Sequence, residues 1–145
     1  MANVFDLAEY IMSKKREIST INLSNLAYYC QAWCLVCLER PLFHEEIQAW
    51  EFGPAIPALF EMHDDVYEID PSFNFGGDPN NFTHDEKDVI DFVLDKYGNQ
   101  DTWKLSDHTQ CEKPWIAARR NTPNRHVSSN VISHLSMFEY YLSIL

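Results

Sequence analysis

Thr20 to Pro41 reads TINLSNLAYYCQAWCLVCLERP, and this stretch decides the fold. Projected at about 100° per residue, Leu23, Leu26, Ala27, Cys30, Trp33, Cys34, Cys37 and Leu38 form one stripe. Tyr28, Leu35 and Val36 fall on the opposite side, so the helix is apolar on nearly every face. Water tolerates such a helix only when other elements enclose it. Ser19 or Thr20 can cap its start, because a side-chain oxygen there accepts from a free N–H of the first turn, and Pro41 stops its continuation. The expectation is a mainly α protein (α+β with a small, minor antiparallel β element), a single compact helical domain of residues 1–145 around a buried central helix at about 20–40.

The flanking sequence supplies the walls of that enclosure. Val4, Leu7, Ala8, Ile11 and Met12 recur at helical spacing before the Lys14 to Arg16 run, which suits a helix C-terminus. This helix is expected to lie against the central one. Beyond Pro41, IQAW within Phe43 to Phe52 predicts a brief edge strand, broken by Gly53-Pro54. Pro54 then fits the first turn of a helix over Ala55 to His63 carrying Leu59, Phe60 and Met62, with Pro57 still in that turn. Asp64 to Asn81, rich in Asp, Pro, Gly and Asn, reads as a long connection holding one short strand near Val66 to Ile69. Thr83-His84-Asp85-Glu86 is a capping box opening a helix to Tyr97. That helix buries Val89, Ile90, Val93 and Tyr97, turns Asp88, Asp91 and Asp95 to water, and ends on a left-handed Gly98. Short helices follow at Trp103 to Thr109 and from Pro114 through Arg120. A last one, about His134 to Ile144, is capped by Ser133 and aligns Leu135, Phe138, Leu142 and Leu145.

Composition narrows the class. At 145 residues, 46% hydrophobic and 14% aromatic, the chain has the material for a filled core. No apolar run reaches the ~18 residues of a membrane span, and the N-terminal charges are placed wrongly for a signal peptide. Three of the four cysteines lie in one helix and the fourth is Cys111, which is not a disulfide framework and suits a reducing, cytoplasmic setting. A formal charge of −11 repels nucleic acid and anionic membrane and favours a basic partner. The local basic clusters are Lys14, Lys15 and Arg16, then Arg119, Arg120 and Arg125.

Motifs for chemistry are weak. Cys30, Cys34 and Cys37 have the spacing of an iron–sulfur loop, but on one core-facing stripe of a helix they cannot wrap a cluster, and free cysteine packs as a small hydrophobe. The six histidines form no zinc pattern, and in His44-Glu45-Glu46 the second histidine of a zincin motif is replaced by Gln48. His63-Asp64-Asp65 could hold a cation but follows no calcium-loop pattern. Nucleophile elbow, Walker loop and dinucleotide fingerprint are all missing, so no catalytic residue, cofactor or metal ligand is assigned and no enzyme is expected. One patch joins Trp50, Phe52, Gly53 and Pro54 to Trp115, Arg119 and Arg120. Tryptophan and arginine are the residue types that most often anchor protein interfaces; the alternative is that both tryptophans simply belong to the core.

LAYYCQAWCLV, RPLFHEEIQAWEFGPAIPALF and LSDHTQCEKPW followed by AR (Ala118-Arg119) together resemble the Panacea domain, the SocA-like or GepA-like family of phage-associated proteins. The similarity runs from about Ile18 to the terminal FEYYL. Its most specific parts are Leu42-Phe43, Ala49-Trp50, Gly53-Pro54 and Glu112-x-Pro114-Trp115. Two departures stand out. Asn22-Leu23-Ser24-Asn25 replaces a Lys-Leu-Gln-Lys-type run, and Thr109-Gln110 replaces a Thr-His pair, with His108 displaced by two. The roles of those lysines and that histidine therefore do not carry over.

The resemblance implies a helical antitoxin of a toxin–antitoxin pair, often carried by a prophage, that neutralises a toxin encoded next door by direct protein binding. An alternative is a proteolytic adaptor that hands the toxin to an AAA+ protease. Another is an acidic phage-encoded decoy or inhibitor. The expected partner is thus a protein, with no direct nucleic acid and no membrane.

Overall fold

The structure, a computed structural model, describes residues 1–63, 66–120, 122 and 127–145. Asp64 and Asp65 of the candidate cation motif, and Arg125 of the second basic cluster, lie outside the described residues. The architecture is mainly α, with seven helices and two small antiparallel sheets among the described residues.

Helix α2 (Thr20–Leu38) is the central element, and its residues are buried from Asn22 to Val36 without interruption. Ser19 caps it, its hydroxyl accepting from the Asn22 N–H at 3.0 Å. Helices α4 (His84–Tyr97), α5 (Thr102–Gln110) and α7 (His134–Ser143) pack around it, with α1 (Val4–Lys15) on a further side. Tyr28, Leu35 and Val36, on the face opposite the main stripe, are buried as expected. Cys37 corrects the expectation: it is exposed, in the last turn of α2 before the left-handed Glu39. Only Cys30 and Cys34 face the interior, and burial pushes the Cys34 thiol up to about 12.

The loop after α2 is held by Gln31, which is fully buried. Its amide accepts from Leu42 N–H at 2.7 Å and donates to Phe43 C=O at 2.8 Å, pairing with the backbone as a neighbouring strand would. Helix α1 carries its own capping box, Asn3 with Asp6. The Asp6 carboxylate also accepts from Asp78 N–H at 2.7 Å and the Asn81 amide at 3.0 Å, fastening the long connection to the start of α1. Burial by itself would raise this carboxyl; the N–H groups of Asp78 and Asn3 and the Asn81 amide together outweigh it and hold it below the usual carboxylate range.

Strands β1 (Ile18–Ser19) and β4 (Glu68–Ile69) pair, placing the expected short strand at its predicted end. Strands β2 (Gln48–Trp50) and β3 (Gly53–Ala55) form a hairpin, which corrects the reading of Gly53-Pro54 as a break. Pro54 sits opposite Ala49 within the ladder, and a proline is tolerated where its missing N–H faces away from the paired strand. Helix α3 (Pro57–Met62) consequently begins later than predicted, with Pro57 in its first turn. Residues 130–132 add to the other edge of β2, Ala49 N–H donating to Asn130 C=O and Ile132 N–H to Ile47 C=O, both at 2.8 Å.

The Thr83–Glu86 capping box of α4 and its buried face are as predicted, and Asp88, Asp91 and Asp95 are exposed. Gly98 is not left-handed; it keeps a helical backbone at φ −68°, and a Cβ there would lie 2.3 Å from Leu94 O. Its glycine is needed for space.

The hydrophobic stripe of α7 is also turned outward. Leu135, Leu142 and Leu145 are exposed, Phe138 is partly buried, and Met137 and Tyr141 enter the core. The cause is a polar anchor. Glu112, at the N-cap of α6 (Lys113–Ala118), accepts from Tyr29 OH at 2.6 Å and Tyr141 OH at 2.9 Å. Tyr141 OH also meets Tyr28 OH at 3.0 Å, and Tyr29 stacks on Tyr97 with ring centroids 3.8 Å apart. Burial raises the Glu112 carboxyl above its usual range despite these hydroxyl donors, and burial pushes the Tyr97 phenol up to about 12.

Candidate partner-binding face

Three side chains fasten the β2–β3 hairpin by its carbonyls. Arg119 donates through Nη1 to Ala49 C=O, the Trp115 indole N–H donates to Trp50 C=O, and the Gln110 amide donates to Phe52 C=O, all at 2.9 Å. The Arg119 guanidinium lies over the Trp115 ring, 5.0 Å from its centroid, which aligns the two donors. Pro114 in the first turn of α6 and Glu112 at its N-cap set the position of Trp115. The Glu112-x-Pro114-Trp115 element thus ties α2 and α7 at one end and the hairpin at the other.

The turn itself demands glycine. Gly53 has φ +136°, and a Cβ there would stand 3.0 Å from Thr109 Oγ1 and 3.4 Å from Asn25 Oδ1. Asn25 in turn donates to Ser106 Oγ at 3.1 Å, while the Asn22 amide donates to Gln100 C=O at 3.4 Å. Asn22, Asn25 and Gln110 therefore join α2 to the α5 region and α5 to the hairpin.

On this base stand aromatic side chains. Trp50 and Phe52 are half-buried and meet edge to face at 5.9 Å; Phe60 from α3 packs 5.0 Å from Trp50 and 5.8 Å from Phe52. Trp50 donates its indole N–H to Gln48 Oε1 at 2.9 Å, which fixes its ring. The predicted residues accordingly divide. Gly53, Pro54, Trp115 and Arg119 are buried and build the support, Trp50 and Phe52 reach solvent, and Arg120 is exposed just beyond α6. Phe60 and Gln110 were missed. Phe60 reads in sequence as one more apolar residue of a helix, and a bond from Gln110 to a main-chain carbonyl leaves no sequence signature.

Two open depressions, each about 390 Å³, lie against Trp50. One is bordered by Gln48, Glu51, Phe52 and Val127, the other by Pro57, Phe60 and Glu61. Among the described residues no group of three or more His, Cys, Asp or Glu is arranged to hold a metal ion. No described helix is long and apolar enough to cross a membrane.

The family model described as Antitoxin SocA-like, Panacea domain matches residues 23–116, more than half of the chain, and the protein belongs to that family. The matched span runs from α2 to Ile116 in α6 and includes the hairpin, α3 and Trp115. No curated protein and no solved structure matches the chain. Family membership supports an antitoxin-type role.

Proposed function

We propose that the protein neutralises a toxin, the product of a neighbouring gene, by direct protein–protein binding through the face bearing Trp50, Phe52 and Arg120. The observation that carries this reading is the arrest of three hairpin carbonyls by Arg119, Trp115 and Gln110. A pre-set aromatic anchor loses little freedom on binding, and that makes it effective at an interface. The −11 charge supports a basic partner, since opposite fields speed encounter. Copurification and growth rescue test the reading. Co-expression with the adjacent gene product is expected to restore growth and yield a stable complex, and Trp50→Ala to weaken both. If the two proteins never associate and growth is never rescued, the assignment is wrong.

One observation favours a second reading, the adaptor that delivers its toxin to an AAA+ protease. An adaptor needs a second surface, and α7 offers exposed Leu135 and Leu142, followed by Ile144 and Leu145. Faster toxin turnover in a reconstituted protease reaction, lost in a Leu135→Ser, Leu142→Ser variant that still binds toxin, would separate delivery from occlusion.

A further inference from the structure

We propose that the two depressions that share Trp50 as a wall receive a pair of basic side chains, arginine or lysine, carried by one segment of the protein partner. This rests on the reading that the partner meets this face. It adds the chemistry of the element that docks there.

The Trp50 indole N–H is committed to Gln48 Oε1, so the ring presents only its π surface and edge. Phe52 and Phe60 both pack against that ring and meet each other at 5.8 Å. Each depression thus has an aromatic wall and one exposed carboxylate at its border, Glu51 on one side and Glu61 on the other. Among the described residues neither carboxylate is in an ion pair. An aromatic surface beside a carboxylate is complementary to a cation on an aliphatic stem: the methylenes cover the ring and the charged head meets the carboxylate.

Other occupants fit less well. A purely apolar plug would take Glu51 and Glu61 out of water with no partner, which is unfavourable. A second copy of this chain would bring carboxylates of like charge together against a net −11. An acidic segment would meet the same repulsion. Two cations carried by one segment engage both depressions, which share the Trp50 ring as a wall.

The test uses the purified full chain and an acetylated, amidated peptide alternating arginine and leucine, at physiological salt. A counterpart with glutamate in place of arginine is the control. The readout is the NMR signal of the Trp50 indole, assigned with Trp50→Phe. The arginine peptide is expected to shift that signal saturably and the glutamate peptide to leave it unmoved. Glu51→Gln with Glu61→Gln should weaken binding at least tenfold, whereas Asp88→Asn with Asp95→Asn, an equal loss of charge on α4, should change it less than twofold. The proposal is overturned if the two double variants weaken binding equally, if the shifts centre on α4, or if self-association of the chain accounts for the Trp50 signal. Seating of the peptide at Trp50 beside a failed growth rescue would leave the groove chemistry standing and remove the antitoxin reading. Growth rescue with no peptide effect would do the reverse.

Discussion

Trp115→Phe isolates the support from the surface it supports. An aromatic ring to carry the Arg119 stack remains, though a smaller one, and the N–H that donates to Trp50 C=O at 2.9 Å is removed. Leaving that carbonyl short of a partner costs about 1–2 kcal/mol. Trp115 is only 4% exposed, so the smaller ring gives up roughly another 1 kcal/mol of buried apolar contact. The sum, about 2–3 kcal/mol, is a large share of a typical 5–15 kcal/mol and still leaves the chain folded. In urea unfolding the midpoint should fall by about 1 M with an unchanged slope. Affinity for the toxin should drop about tenfold, since a loosened hairpin must be re-ordered on binding. Trp103→Phe is the control: Trp103 is 57% exposed, and its replacement should stay within about 0.5 kcal/mol. A Trp115→Phe protein as stable as the parent and equally tight for toxin would refute the coupling of α6 to the hairpin.

Gln31→Leu keeps the volume but abandons Leu42 N–H and Phe43 C=O inside the core, and should cost about 3–5 kcal/mol in the same unfolding measurement. Gly53→Ala must adopt φ +136° with its methyl carbon 3.0 Å from Thr109 Oγ1; a loss of about 1–3 kcal/mol is expected, read as a lower melting temperature. The Asp6 carboxyl titrates below its ordinary value of 3.8 in the folded chain, so its contribution is present above about pH 4 and lost as pH falls through the folded value. Acid unfolding followed by circular dichroism should therefore begin at higher pH in Asp6→Asn, a variant already less stable at neutral pH. Glu112 has the opposite sign: raised above 4.5 by burial, it lends most stability at low pH and loses it as pH climbs through its folded value, a slope that Glu112→Gln should remove.

Much of the fold is legible because single residues state it. An unbroken apolar circumference makes α2 central, and Ser19, Thr83 and Ser133 mark helix starts with one hydroxyl each. The errors share a cause, namely partners distant in sequence. Pro54 reads as a breaker until Ala49 is seen opposite it in the ladder. The leucines of α7 outweigh Tyr141 on any hydrophobic count, yet the tyrosine is drawn inward by Glu112, 29 residues away. Cys37 keeps the helical register of Cys30 and Cys34 but lies in the last turn of α2, beyond the unbroken burial that ends at Val36. At the candidate face, residue types pointed to the pairing of Trp50 with Trp115. The division into buried support and exposed anchor was hidden, because the acceptors are main-chain carbonyls, which every residue has.

The central claim is that the partner docks on the Trp50 face. Amide hydrogen exchange of the chain alone and in complex with the neighbouring toxin tests it most directly. Slower exchange in residues 48–55 and 57–62, with α4 unchanged, is the predicted result. Protection confined to α4 or to the outer face of α7, with the hairpin exchanging as in the free protein, would contradict it.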